Sequence, residues 1–175
     1  MKPFEWDQAR KARTGIAEAV YCQGKESDHI QSIIEHNLGL NQSILLTRLN
    51  AEQFAALSLS IQQLLKYDRV SKTAILDLGD IPVATKVGIS VVAAGTSDIA
   101  TALEDTRTLE FNGFQAPLIC DVGVAGLWRL QERLPDIRDS KIVIAVAGME
   151  GALFSVLAGL ISAPLIAVPS PVGYG

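Results

Sequence analysis

KIVIAVAGMEGALFSVLAGLISAPLIAVP, Lys141 to Pro169, is the stretch on which the fold turns. No charged residue occurs from Gly151 to Gly175, and the run Gly151 to Pro169 is long enough to suggest a membrane span. Pro164 and Pro169 interrupt it, however, and Gly148 and Gly151 precede it. It parses instead as buried strand (Lys141–Ala147), helix (Glu150–Ile161) and buried strand (Pro164–Val168), because parallel strands covered on both faces read as near-continuous apolar sequence. No membrane partner is expected.

The same alternation extends upstream: strand Gly88–Ala93, helix from about Ser97 to Phe111, strand Pro117–Cys120, helix from about Val124 to Leu134. Strands and helices alternating at this spacing predict an α/β, doubly wound, flavodoxin-like parallel sheet in which the first and third strands are neighbours. A glycine-rich or polar cluster follows each of three strands: AGTSD (Ala94–Asp98), CDVGVAGLWR (Cys120–Arg129) and AVAGMEGA (Ala145–Ala152). At the carboxyl ends of a parallel sheet such clusters converge on one crevice, which is where chemistry is expected.

Before this sheet the sequence is less regular. LGDIPVATK (Leu78–Lys86) carries Gly79 and Pro82 and reads as a boundary, dividing residues 1–80, a small α/β domain, from residues 86–175, the sheet domain. In the first domain, Ala9–Gly24 begins helix-like and breaks at Gly15 and Gly24. Ser27 reads as the N-cap of a helix to about Leu38, ended by Gly39. Ser43–Leu49 reads as a strand. Asn50 caps a single helix holding Phe54, Leu57, Ile61, Leu64 and Leu65, and a strand Thr73–Leu78 follows.

Composition excludes several classes. The 175 residues are 49% hydrophobic and 19% charged, enough apolar material for a real core. A net charge of -4, with Lys and Arg scattered, offers no basic field for nucleic acid. Cys22 and Cys120 stand far apart, so no disulfide framework or paired zinc motif is read, and the compartment expected is reducing cytoplasm. The charged start MKPFEWDQARKAR is unlike a signal peptide.

Each candidate side chain has a functional and a structural reading. Gly95 permits a sharp turn, and Thr96 and Ser97 set hydroxyls and N–H groups at a helix start suited to a phosphate or carboxylate. Asp98 could hold a ribose hydroxyl, order a magnesium ion, or stabilise its own helix behind a Ser97 cap. Asp121 lies at a strand end with Gly123 and Gly126 nearby, while Arg129 either grips phosphate as a fork or is a solvated helix charge. Glu150, between Met149 and Gly151, is either satisfied by backbone N–H groups or held among apolar neighbours with a raised pKa. Cys120 is a reactive thiol or a small buried hydrophobe. Lys25 is a cation for an anionic ligand or a solvated lysine. His29 and His36 fall in the first domain as surface residues, leaving no histidine base in the sheet domain.

Five ordered motifs, RTGIAEAVYCQGK (Arg13–Lys25), AGTSD, CDVGVAGLWR, AVAGMEGAL (Ala145–Leu153) and AVPSPVGYG (Ala167–Gly175), resemble the LarB family of nickel-pincer cofactor biosynthesis across nearly the whole chain. The second half is similar, more distantly, to PurE-type aminoimidazole ribonucleotide carboxylases. The resemblance implies a PurE-like sheet domain in a homo-oligomeric enzyme. It also implies carboxylation of the pyridinium ring of nicotinic acid adenine dinucleotide by carbon dioxide or bicarbonate, and hydrolysis of the phosphoanhydride to release AMP. Magnesium (Mg2+) is the cofactor implied, with Asp98 or Asp121 as its candidate ligand. Asp98, Asp121, Glu150 and Lys25 are the catalytic candidates; Gly95, Thr96, Ser97, Asp98, Gly123, Arg129, Met149 and Gly151 are those for nucleotide binding, and Glu18 joins Lys25 in the N-terminal motif. A PurE-type purine enzyme and a non-catalytic nucleotide-binding module are the alternatives.

Two features depart from the family pattern. Trp128 stands where these families generally carry His, and an indole cannot shuttle a proton. The family also continues past VGYG with a helix, a strand and a cysteine-bearing segment thought to supply a covalent nucleophile. An apolar strand so near Gly175 leaves a hydrophobic edge, so a chain truncated at its C-terminus is expected.

Overall fold

The computed structural model describes residues 4–172. The chain divides into two compact units, Met1–Pro82 and Val83–Gly175.

The first unit is built on a four-stranded mixed sheet in the order β1-β2-β4-β3 (β1 Ala19–Tyr21, β2 Ile44–Thr47, β3 Leu65–Asp68, β4 Thr73–Leu76). β1 runs parallel to β2, and β4 is antiparallel to both β2 and β3. Its helices are α1 (Arg10–Thr14), α2 (Ser27–Gly39), α3 (Ala51–Ala56) and α4 (Leu59–Leu64). Ile30 and Ile34 of α2 pack with Val20, Ile44, Leu46 and Leu76 in a closed core, and Phe54 stacks on Tyr67 with ring centroids 4.1 Å apart.

Four local expectations are corrected here. Ser27 is the first helical residue of α2 rather than its cap; Glu26 is the N-cap and makes no side-chain cap bond. Gly39 stays within that helix, and the left-handed residue beyond it is Asn41, a type that tolerates positive φ. The single helix expected after Asn50 is two. Asn50 and Gln53 form a reciprocal capping box on α3, which stops at Ala56, and α4 ends at Leu64. Leu65, although at helical spacing from Ile61, opens β3 because pairing of Leu65 with Leu76 and Tyr67 with Ala74 overrides the periodicity. β1 was hidden for a different reason: a three-residue strand is too short to show alternation.

The second unit is a four-stranded parallel sheet in the order β6-β5-β7-β8 (β5 Ile89–Ala93, β6 Leu118–Ile119, β7 Ile142–Ala147, β8 Leu165–Pro169). Its first and third strands are neighbours over five paired residues, Ile89 with Ile142 through Ala93 with Val146. This is a flavodoxin-like arrangement. The connections are α5 (Ile99–Phe111), α6 (Leu127–Arg138) and α7 (Ala152–Leu160). Alternation along β5 splits the core. Val91 and Ala93 pack with Ala102 of α5, whereas Val92 packs with Leu130 and Ile137 of α6 and Leu153 and Leu157 of α7. The uncharged run thus becomes a nine-residue helix and a five-residue strand, and no helix among the described residues is long and apolar enough to cross a membrane. β8 is an edge strand, with Ile166 51% exposed.

Two outcomes test this packing. Leu157→Ala removes a fully buried side chain between α7 and the sheet and is expected to cost about 2–5 kcal/mol in urea unfolding; a loss below half a kcal/mol contradicts the assignment. Cys22 is completely enclosed, and burial pushes its thiol from 9.0 up to about 12, outweighing the opposing Lys25 charge. The folded state favours the neutral thiol, so this contribution is full below pH 9 and is lost as the pH rises from about 9 to about 12. Urea midpoints across that window are expected to fall more steeply for the native protein than for Cys22→Ala; parallel curves contradict this.

Candidate functional site

The carboxyl ends of the strands in the second unit surround one cavity of about 270 Å3. The segment after β5 contributes Gly95, Ser97 and Asp98; the segment after β6 contributes Asp121, Gly123 and Arg129; the segment after β7 contributes Gly148, Met149 and Glu150; Val172 follows β8. The tips are held together because the hydrogen-bond ladder continues past the strands. Gly123 N–H donates to the Ala94 carbonyl at 2.7 Å, Ser170 N–H to Ala147 at 2.9 Å, and Met149 N–H to Val172 at 3.0 Å. These approaches leave no room for side chains: a Cβ on Gly123 would lie 2.9 Å from the Ala94 oxygen, and one on Gly148 only 1.8 Å from the Val172 oxygen.

Asp98 is 3% exposed, and both its carboxylate oxygens are engaged. Oδ2 accepts the Gly95 N–H at 2.9 Å and Oδ1 accepts the Ser170 hydroxyl at 2.6 Å. The side chain therefore ties the turn after β5 to the segment after β8, and these bonds leave it poorly suited to a magnesium ion. Ser97, for which helix capping was the structural alternative, makes no cap bond; it is exposed and lines the cavity, and a 3-10 turn from Thr96 to Asp98 leads into α5. Thr96 is exposed outside the cavity lining.

Asp121 and Met149 both occupy the left-handed region, with φ of 60° and 52°. For non-glycine residues this conformation costs of order 1–3 kcal/mol and persists only where the surroundings impose it. Here the imposed turns lie at the mouths of β6 and β7. Arg129 Nη1 donates to Asp121 Oδ2 at 2.6 Å, so the solvated-charge reading of Arg129 gives way to a partly exposed ion pair within the cavity wall. Arg129 Nε is enclosed without an acceptor, lying against Gly126, where a Cβ would meet it at 2.7 Å.

Glu150 lines the cavity but is exposed, so the apolar enclosure suggested by its sequence neighbours is absent. Gly151 has φ of 68° and is the N-cap of α7 rather than a wall residue. The Cys120 thiol is raised by burial and then by the Asp121 charge, which makes it a poor thiolate, and it packs among the apolar residues on the α5 side of the sheet. Among the described residues no three His, Cys, Asp or Glu side chains gather as a metal site.

Lys25 and Glu18 belong to the first unit, where they line a separate cavity of about 330 Å3 with Phe4, Trp6, Tyr21 and His29. Lys25 is exposed and follows a turn through Gly24, which has φ of 77°, while Glu18 accepts the Asp7 N–H at 2.9 Å. His29 is exposed; His36 is half-buried, edge-on to Phe4. Ser170 is the site residue that inspection of individual side chains missed. Its signal was present: a hydroxyl immediately after an apolar strand, at the same sheet end as the other clusters. The last three residues of the AVPSPVGYG motif lie outside the described residues.

The Asp98 tie is testable by substitution. Asp98→Ala leaves the Gly95 N–H and the Ser170 hydroxyl without their acceptor and is expected to lower stability by about 1–3 kcal/mol in urea unfolding. Ser170→Ala is expected to cost less, and the double variant about as much as Asp98→Ala alone. Strictly additive losses contradict the tie.

Comparison with known proteins agrees with this architecture. Residues 2–78 match the family model described as LarB/PurE-like N-terminal domain. An uncharacterized protein of Methanocaldococcus jannaschii is 36% identical over 177 residues, an alignment spanning 97% of this chain and 68% of that protein. With a flavodoxin-like sheet following the matched N-terminal domain, the chain belongs to the LarB family.

Proposed function

We propose that this LarB/PurE-related, carboxylase-type protein carboxylates the pyridinium ring of nicotinic acid adenine dinucleotide with carbon dioxide or bicarbonate and hydrolyses its phosphoanhydride to release AMP, the first step of nickel-pincer nucleotide synthesis. The supporting observation is the convergence of Arg129 and the starts of α5, α6 and α7 at one cavity. Helix starts present unpaired N–H donors and positive dipole ends, and an arginine adds a permanent cation, so the site favours phosphate or carboxylate.

The geometry supports a division of labour. Asp98 and Ser170 set the shape of the cavity from behind, and Asp121 orients Arg129. Ser97, Asp121 and Glu150 are the polar side chains left facing the ligand. Magnesium is proposed to arrive on the phosphates of the substrate, with Asp121 and Glu150 as the carboxylates near it, since magnesium commonly pairs one or two carboxylates with substrate phosphates. When bound, it would neutralise charge on the phosphoanhydride. Addition of a nucleophile turns the electron-poor ring into an enamine whose carbon attacks carbon dioxide; loss of the proton on that carbon and expulsion of the nucleophile then restore a carboxylated pyridinium. Cys22 and Cys120, with raised thiols, are unsuited to that role.

Purified full-length protein supplied with nicotinic acid adenine dinucleotide, magnesium and labelled bicarbonate is expected to release AMP and a labelled pyridinium product. Arg129→Ala is expected to reduce kcat/KM by about tenfold or more, the loss of a charge-assisted hydrogen bond. Absence of both products contradicts the proposal, and turnover of aminoimidazole ribonucleotide instead would transfer the protein to the PurE-type reading.

A further inference from the structure

Trp128 is 60% exposed although it is the second residue of α6 and immediately precedes the arginine of the cavity wall. The Arg129 guanidinium lies 5.9 Å from the centroid of its ring, within the range of a cation–π contact. That guanidinium is only partly satisfied. Nη1 is held by Asp121, Nε is enclosed without an acceptor, and Nη2 has no partner among the described residues. Trp128 does not itself line the cavity but stands beside Arg129, which does, and Met149, 63% exposed, is an apolar side chain of the lining. The cavity, at about 270 Å3, lies just below the range of about 300–1,000 Å3 usual for small-molecule sites, so a dinucleotide would extend past its rim.

An exposed indole beside the arginine of the cavity wall contributes little to the core but offers a large flat face next to a cation. We propose that Trp128 is a stacking platform: a ligand places its anionic group on the Nη2 side of Arg129 and lays its attached planar heteroaromatic ring on the indole. The ligand class is a mononucleotide or one half of a dinucleotide, and the ring is either adenine or the pyridinium. Stacking tolerates either, since each presents a flat π face. The role is positional, acting on affinity without proton transfer, consistent with a side chain that has no acceptor. This inference rests on the nucleotide reading of the cavity and adds the residue that recognises the ring.

The test uses the fluorescence of Trp128 in the full chain carrying Trp6→Phe, which leaves one tryptophan. AMP, nicotinic acid mononucleotide and inorganic phosphate are titrated separately. Quenching by one or both nucleotides and none by phosphate is expected; quenching by one alone identifies the ring, and quenching by both shows that the platform accepts either. Trp128→Ala is expected to weaken that nucleotide about tenfold and raise KM for the dinucleotide to match, with kcat and the affinity for phosphate unchanged. Trp128→Phe should recover most of the loss. Equal nucleotide affinity and KM in native protein and Trp128→Ala would overturn the platform while leaving the carboxylase reading intact. Absent turnover with the expected quenching and tenfold loss would overturn the carboxylase reading and uphold the platform. No binding of either nucleotide by the native protein would overturn both.

Discussion

Backbone hydrogen bonds that continue beyond the ends of the strands are the interaction on which the site depends. Each strand of the second unit passes its register to the segment after it: Gly123 to Ala94, Ser170 to Ala147, and Met149 to Val172. The two glycines at these crossings are required by distance, since a methyl group on Gly148 would overlap the Val172 carbonyl and one on Gly123 would press on that of Ala94. With the loops so close, Asp98 can reach Ser170 across 72 residues of sequence. The cavity is therefore a consequence of strand order rather than of any single loop.

This arrangement separates residues that shape the pocket from residues that face a ligand. Asp98 is conspicuous in AGTSD as the acidic member of a helix start, yet its two oxygens are used within the fold. Asp121 is strained and partly exposed, and it aims an arginine. The ion pair adds little stability at this exposure, so its value lies in orientation. Ser97 and Glu150 line the cavity and are exposed.

Much of the second unit was legible in the sequence because buried parallel strands write themselves as apolar runs and each run ends in a glycine-rich cluster. The switch point followed from the alternation. What was not legible depended on partners distant in the chain. β1 and β3 exist through pairing with β2 and β4, against weak or misleading local patterns. Nothing local to Asp98 distinguishes a metal ligand from a side chain tied to Ser170, and nothing local to Glu150 shows that its apolar neighbours leave it in solvent. Arg129 was ambiguous until Asp121 was seen to hold it.

The central claim is that an anionic nucleotide is received at the carboxyl ends of the second sheet. Titrating AMP into isotopically labelled protein and following backbone amide resonances tests it most directly. The signals of Gly95, Ser97, Asp121, Gly123 and Glu150 are expected to shift together with one saturating affinity. Shifts confined to Tyr21, Lys25 and His29 in the first unit, with those five unmoved, would contradict the account.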